Sequence, residues 1–583
     1  MQNYDRSSFR ADLMAGVTVA LVALPQSMAF ALIVGIDPNY GIHAVIIGSL
    51  VGALFGSSRH LHTGPTNTSS IVIGAAIAPF LLQDNFLGYL FLLSFLAGFF
   101  QLGAGILRFG NLTQFISRSV LVGFTGGASV LIFVTQLPNI LGLPKHASLS
   151  VMNGILAVAK NTGEIDSPTL LIGLGTILLV LLLNKISPRS SKGVTYLPSY
   201  LLAVLGAAAV VATTGLADQG VAVVGRVSST LPPLSTPDFS WQSIQTLVPS
   251  ALALALISTA EAVASGKSVA TLAGDKLQVN QEFVGQGLAK MAVAFFSGMP
   301  TSGSFTRTAL NYRVGAQTRF ASAISAVILS IVVVLFGPLA KNIPIASLAG
   351  IIMVIATKMV DWKQVRLSLR TTRSDAAVML ATFLATLVFQ LDTAIYIGVA
   401  LSLVLFLNKV QHPRLIELEY DEANGFQELE PANERHIPEI SIVHIEGDIF
   451  FGAADFLENE IGRIAKRPGL KVLILRMKRA CCLDATSLLA LMQFIENMKN
   501  NHKLLIISGV TGEVERIFRR SGVDKVIGEE NIFFSDLAVL KSTRQALDRA
   551  LQYINSQGEK KYRVRLFYDR PGQPQITPEE EPE

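Results

Sequence analysis

Apolar run follows apolar run from about residue 11 to residue 408, and then the pattern changes. A membrane-spanning helix needs roughly 20 mostly apolar residues. Segments of that kind fall at about 11–34, 41–57, 64–82, 87–108, 112–138, 167–186, 197–215, 246–265, 282–298, 302–314, 319–340, 343–358, 374–391 and 391–408. Several are short or broken by Pro and Gly. Lipid tolerates a broken helix only where protein or a cavity encloses it, so the breaks themselves point to an enclosed site. From Lys409 to about Pro438 the chain reads as a charged linker. Then Ile440–Asp448 alternates like a strand, and Lys471–Arg476 and Lys503–Ser508 are short apolar runs of the kind buried in a sheet. Helical patterns near 453–465 and 486–499 lie between them, which predicts a small α/β domain with a largely parallel sheet. The expected organisation is a membrane domain over 1–408, a linker over 409–437, the α/β domain over 438–555 and a disordered Pro- and Glu-rich tail over 556–583.

Only 15% of the residues are charged, against about 25% in an ordinary soluble domain. The net charge of +5 does not imply a nucleic-acid partner, because the basic residues sit in membrane-flanking loops. With the N-terminus inside, the cytoplasmic connections carry Arg6, Arg10, Arg59, Arg108, Arg118, Lys185, Arg189, Lys192, Lys267, Lys276, Arg313, Arg319, Lys358, Lys363, Arg366, Arg370 and Arg373. The external connections carry Lys145, Lys160, Arg226 and Lys341. That asymmetry predicts a multi-pass cell-membrane protein with an even number of spans, and with both termini and the α/β domain in the cytoplasm. Residues 1–10 are polar and too short for a cleaved signal, so the first apolar segment is expected to remain in the protein. Cys481 and Cys482 are adjacent, which suits neither a disulfide nor a metal site, and two reduced thiols are expected. No metal or cofactor is expected. No Ser/His/Asp set, zinc spacing or G-x-x-x-x-G-K loop suggests an enzyme.

Two distant segments match each other. Gly64–Ser70 and Met299–Thr308 each carry a proline followed by small hydroxyl residues at the start of an apolar stretch. Pro suits a helix's first turn, and Ser or Thr caps its free N–H groups. A pair of helix N-termini in corresponding halves of a membrane protein builds an anion site near the bilayer midplane. The candidate anion ligands are Thr66 and Asn67 in the first segment and Ser304, Phe305 and Thr306 in the second. Arg307 adds a full charge one turn into the second helix. The plainer alternatives are ordinary capping and an arginine that snorkels to the surface. Glu261 is the only acid in the span beginning near residue 246. Low dielectric favours a neutral carboxyl and a neighbouring cation favours the charged form, so Glu261 is either a proton carrier or a counter-ion to Arg307. Gln26 and Ser27, just after Pro25, are candidate neutral donors to the anion or glue between helices. Pro25 precedes Pro65, and Glu261 precedes Pro300, by about forty residues each. Those matches suggest a repeat of about seven spans, which must be inverted in the membrane. Importing an anion against an inside-negative potential costs about 2.3 kcal/mol per charge per 100 mV. Uptake of a divalent anion therefore needs cations moving with it, and protonation of Glu261 supplies one.

The segments Pro25–Ala31, Gly64–Thr66, Val120–Thr125, Asn280–Gly287 and Thr301–Asn311 resemble the sulfate permease (SulP) family of anion transporters over essentially the whole chain. The resemblance implies fourteen spans arranged as two inverted seven-helix repeats. It implies a core domain that carries the anion between spans three and ten and moves against a gate domain, and a homodimer. Carried over residue by residue, it places Gln26, Thr66, Glu261, Thr306 and Arg307 in or beside the site. The α/β domain resembles the family's STAS domain, which is similar to anti-sigma factor antagonists. Where those proteins have Asp-Ser-Ser-Gly at a helix start, this chain has Asp484, Ala485, Thr486 and Ser487. Thr486 aligns with their phosphoacceptor, Asp484 suits a plain helix cap, and a cytoplasmic STAS-binding protein is a possible partner. The family's sodium–bicarbonate carrier has Asp where Glu261 stands and Thr where Phe305 stands. Losing that hydroxyl argues against a sodium site, since hard cations want oxygen donors. Proton-coupled sulfate uptake is the first expectation. Bicarbonate or dicarboxylate symport is the second, and an anion channel or a sensor reporting through STAS is the alternative of another class.

Overall fold

The computed structural model describes residues 4–110, 117–143, 151–186, 198–225, 229–411, 413–421, 425–429, 439–536 and 540–557. Lys145, Arg189, Lys192 and Arg226, which entered the charge asymmetry, lie outside the described residues, as do the Pro- and Glu-rich tail and residues 430–437 of the expected linker. The chain divides into two compact units, residues 1–403 and 404–583.

The first unit is helical. Its elements are α1 (Arg6–Val34), α2 (Pro38–Phe55), α3 (Asn67–Ile77), α4 (Phe86–Ile106), α5 (Arg118–Leu141), α6 (Val151–Lys160), α7 (Ser167–Ile186) and α8 (Ser199–Thr214). They continue with α9 (Trp241–Ala273), α10 (Val279–Phe295), α11 (Phe305–Val314), α12 (Phe320–Phe336), α13 (Ile345–Met359), α14 (Trp362–Thr371), α15 (Arg373–Val388) and α16 (Leu391–Val410). Every apolar segment predicted above overlaps one of these helices. Among the described residues, 8 helical stretches are long and apolar enough to cross a membrane. α6 and α14 were not expected, because each is only 10 residues long. α14 leaves Trp362, Leu367 and Leu369 uncovered beside Lys363, Arg366 and Arg370, the make-up of a helix lying in a membrane surface.

α3 and α11 have 11 and 10 residues. At ~1.5 Å per residue each covers about half of a ~30 Å hydrocarbon core. The strands ahead of them pair: β1 (Thr63–Gly64) runs antiparallel to β2 (Ser302–Gly303), with Thr63 opposite Gly303 and Gly64 opposite Ser302. This pairing corrects the expected place of the prolines. Pro65 stands one residue ahead of the cap Thr66, and Pro300 lies before β2, so neither is in a helix's first turn. A proline holds the residue before it extended, which suits Gly64 in β1. α2 must pass close to this crossing. A Cβ on Gly52 would lie 2.4 Å from Thr63 Oγ1, so only glycine fits there. Asp12 of α1 ties down the loop after α11, accepting from Gln317 N, Thr318 N and the Thr318 hydroxyl.

The second unit carries β3 (Arg414–Asp421), β4 (Gly425–Glu428), β5 (Ile440–Asp448), α17 (Phe451–Ala465), β6 (Val472–Cys481), α18 (Ala485–Asn500), β7 (Leu504–Val510), α19 (Gly512–Ser521), α20 (Val523–Ile527), β8 (Ile532–Phe534) and α21 (Lys541–Gln557). The sheet order is β4-β3-β5-β6-β7-β8, parallel from β5 to β8. One face packs on α17 to α20 through residues such as Val443, Leu475, Phe494 and Phe518, and the other packs on α21 through Ala546, Leu547, Ala550 and Leu551. β3 and β4 lie within the segment read as a linker. β3 is an added antiparallel strand beside β5, and its alternating glutamates gave it the look of a charged connector.

Candidate functional site

The β1–β2 crossing sets two helix N-termini beside one another. At α3, Thr66 is the cap. Its Oγ1 accepts from Ser69 N at 3.3 Å and donates to Glu261 Oε2 at 2.9 Å. The Ser69 hydroxyl donates to the same carboxylate oxygen at 3.2 Å. Glu261, from α9, therefore sits over the first turn of α3, where a free anion would sit. At α11, Ser304 is the cap, accepting from Arg307 N at 3.4 Å. Ser304 N in turn donates to the His62 carbonyl at 3.0 Å, just ahead of β1.

Arg307 is fully buried. Its Nη2 donates to the Pro65 carbonyl at 2.7 Å and its Nη1 to Gln26 Oε1 at 3.5 Å, while Nε has no partner. A Cβ on Gly64 would come within 3.0 Å of that Nη2, so the guanidinium reaches Pro65 across bare backbone. Arg307 thus bridges from the α11 N-terminus to the residue before the α3 cap. The snorkelling alternative is excluded, since none of the side chain is exposed. Among the described residues Arg307 forms no ion pair. The counter-ion alternative for Glu261 therefore appears as Coulombic reach, not as a direct contact, because the hydroxyls of α3 hold the carboxylate.

The other candidates divide. Gln26 joins Arg307. Asn67, the first residue of α3, is half-buried. Phe305 and Thr306 are uncovered on the first turn of α11, and Thr306 Oγ1 lies 3.3 Å from Ser304 Oγ. Ser27 is not brought to the site by any hydrogen bond. It is buried, and its hydroxyl donates to Leu24 O of its own helix at 2.9 Å. The Pro25 ring removes a backbone donor nearby, and the Ser27 proton is spent within the turn.

Several buried polar residues escaped the sequence reading. Gln286 of α10 donates to Thr63 Oγ1 at 2.7 Å and to Glu282 Oε1 at 3.2 Å. Glu282 Oε2 accepts from Ser57 N and Ser58 N at 2.9 and 3.0 Å. Lys290, also fully buried, donates to Gln101 Oε1 of α4 at 2.5 Å. The signal was present: 282, 286 and 290 repeat every four residues, which puts all three on one face of a helix.

In the second unit Asp484 caps α18. Its Oδ1 accepts from Ser487 N at 2.9 Å, Asp484 N donates to Ser487 Oγ at 3.0 Å, and Oδ2 accepts from Phe451 N at the start of α17 at 2.8 Å. Burial works against ionisation of Asp484, but these N–H groups outweigh it and hold its carboxyl below the usual range. Thr486 is exposed in the first turn of α18. The β5–β6 register sets Asp448 opposite Cys481, whose Sγ donates to Asp448 Oδ1 at 2.8 Å.

Two half-helices with facing N-termini, a buried arginine between them and a helical membrane unit around them define an anion transporter. The chain belongs to the sulfate permease family: that family's model matches residues 9–382, and the STAS domain model matches residues 432–538. YvdB of Bacillus subtilis (strain 168) is 30% identical over 91% of this chain and 97% of its own length. Sulfate transporter 1.1 of Arabidopsis thaliana is 26% identical over 94% of this chain and 88% of its own. Among solved structures, the fold matches murine Solute Carrier 26 family member A9, an anion transporter captured inward-facing, with a TM-score of 0.86, 19% identity and coverage of 94% and 92%. The transmembrane domain of the cyanobacterial bicarbonate transporter BicA matches with a TM-score of 0.60 and 26% identity, over 67% of this chain and 98% of that one.

Proposed function

We propose that the chain takes up sulfate together with protons by alternating access, with Glu261 as the coupling group. The observation that carries this reading is the Glu261 carboxylate held by Thr66 and Ser69 over the α3 N-terminus. The protein's own anion occupies a place built for one. Protonating Glu261 removes that competitor's charge and leaves the helix N-terminus and Arg307 to the incoming anion. Release of the proton on the other side restores the competitor and expels the substrate. Gln26, Thr66, Asn67, Ser304, Thr306 and Arg307 form the anion site, and Phe305 walls it. An aromatic ring at 305 offers no oxygen to a sodium ion, which favours protons as the coupling ion. Sulfate is preferred because Sulfate transporter 1.1 is among the relatives. Bicarbonate is the second reading, favoured by the BicA neighbour.

The proposed orientation places the N-terminus and the STAS domain in the cytoplasm, following the Lys and Arg asymmetry. A homodimer, and regulation of STAS through Thr486 or a cytoplasmic protein, complete the proposal. The test is radiolabelled sulfate uptake into proteoliposomes with and without an inward proton gradient, with bicarbonate and succinate as competitors. Accumulation that needs the gradient and resists both competitors supports the reading. Folded protein that takes up bicarbonate and not sulfate overturns it.

A further inference from the structure

Lys290 is the unexplained cation of the membrane unit. No part of its side chain is exposed, and its one hydrogen-bond acceptor is the neutral Gln101 Oε1. An ammonium has three N–H donors. Gln101 is not a committed partner either, since its own Nε2 has none. Among the described residues no carboxylate lies within ion-pair distance of Lys290. A buried charge so poorly matched is costly, and such a group sheds its charge unless a nearby negative charge holds it.

The ionisable groups around it are few. α10 packs on α2, α4 and α9. α4 contributes Tyr89 alone, whose ring stacks on Phe80 at 4.4 Å. α2 contributes Tyr40 and His43, which meet edge to face, and His43 Nδ1 lies 2.9 Å from the Ser297 carbonyl. α10 itself contributes Glu282, which is engaged by Ser57, Ser58 and Gln286. α9 contributes Lys267, which is exposed, and Glu261, which is within Coulombic reach of Lys290. The coupling carboxylate and Lys290 therefore feel each other's charge.

We propose that Lys290 is a second proton carrier of the transport cycle, taking up a proton as the anion enters and returning it as the anion leaves. The proposal rests on the reading of Glu261 as the first carrier. With the site empty, the positive charge of Arg307 is matched by Glu261, and Lys290 is a neutral amine. A divalent anion brings two negative charges. Glu261 binds one proton and Lys290 another, both from the side the anion came from, and the interior is again neutral. Both protons leave on the far side with the anion. The cycle moves no net charge.

The experiment uses the full chain in proteoliposomes. Radiolabelled sulfate uptake and an internal pH dye are read together at membrane potentials set by potassium and valinomycin. The expected wild-type result is about two protons per sulfate and uptake indifferent to an inside-negative potential. Lys290→Arg cannot release its proton, and Lys290→Met cannot bind one. Each is expected to carry about one proton per sulfate, and one uncompensated charge lowers its accumulation ratio by about 50-fold at 100 mV. Either variant moving sulfate at the wild-type proton ratio overturns the proposal and leaves Lys290 a structural cation. A wild-type ratio of about one overturns it while leaving Glu261 as the coupling group, and this outcome needs no variant to fold. Sulfate uptake with no proton flux overturns both readings.

Discussion

The Thr66 hydroxyl donates to Glu261 at 2.9 Å while its oxygen accepts from Ser69 N at 3.3 Å, so the cap of α3 is also a hydrogen-bond partner of the Glu261 carboxylate. On the proposed reading the helix start and the proton site share an atom, so a change in the charge of Glu261 would act directly on the N-terminus proposed to attract the anion. Glu261→Gln keeps an oxygen acceptor for Thr66 but fixes the neutral state. Sulfate exchange across vesicles with label on both sides is expected to persist, while pH-driven accumulation falls to simple equilibration. A variant that still accumulates sulfate against its gradient would remove Glu261 from the coupling step.

Arg307 links the two half-helix starts through Pro65, and on the proposed reading it also presents its charge to the anion. A hydrogen bond to a charged group contributes about 2 kcal/mol, so Arg307→Ala is expected to weaken sulfate binding about 30-fold. Arg307→Lys keeps a charge but loses the planar fork that reaches both Pro65 and Gln26. It is expected to recover part of the affinity. Equilibrium binding of labelled sulfate to detergent-solubilised protein measures both variants. Unchanged affinity in Arg307→Ala would take it out of the anion site.

Much of this was legible in the chain because each signal was local. Proline followed by hydroxyl residues marked both helix starts, and their recurrence marked the pair. Glu261 stood out as a lone acid in an apolar span. What could not be read was which groups meet. The sequence does not say that Glu261 turns to the α3 hydroxyls and not to Arg307, nor that Ser27 spends its proton on Leu24, since both depend on how α1, α3 and α9 pack. Lys290 and Gln286 were hidden by their neighbours, because an apolar run with two polar residues still reads as a span. β3 was missed because, in the sequence, Glu417 and Glu419 outweigh Leu415 and Leu418, which the structure half-buries.

The close passage of α2 over the crossing depends on Gly52. Its Cβ in Gly52→Ala would fall 2.4 Å from Thr63 Oγ1, displacing the hydroxyl that accepts from Gln286. Overpacking of this kind costs about 1–3 kcal/mol. Thermal unfolding in detergent is expected to shift downward, with partial recovery in Gly52→Ala/Thr63→Ala, where the 2.4 Å clash with the hydroxyl is removed and the 3.0 Å contact with the Cβ of residue 63 remains. A variant as stable as the parent would show that the crossing has room to spare.

In the STAS domain Asp484 serves two helices at once, through Ser487 N and Phe451 N. Asp484→Ala is expected to destabilise the domain by about 1–2 kcal/mol, the upper part of the range for a lost cap. Because its folded pKa is depressed, the stability it contributes is present above the unfolded value of about 3.9. It is lost as pH falls through the folded value. Chemical denaturation of the parent and Asp484→Asn between neutral pH and pH 3 tests this: the difference between them should shrink at the acid end. A constant difference would assign the effect to packing.

Cys481 and Cys482 are the only 2 cysteines of the chain, so thiol labelling counts them cleanly. The Cys481 thiol is pushed up to about 12, first by its hydrogen bond to the Asp448 carboxylate and then by burial and by Cys482. A negative oxygen beside the sulfur favours the protonated thiol, and only the thiolate attacks an alkylating reagent. At pH 8 iodoacetamide is expected to modify the exposed Cys482 quickly and Cys481 at least about 100-fold more slowly. Asp448→Asn removes the carboxylate's charge, lowers the Cys481 value towards that of a free thiol, and should speed its labelling by at least about tenfold. Mass spectrometry of timed samples separates the two sites. Equal rates in the parent chain, or no acceleration in the variant, would show that Asp448 does not hold the Cys481 proton.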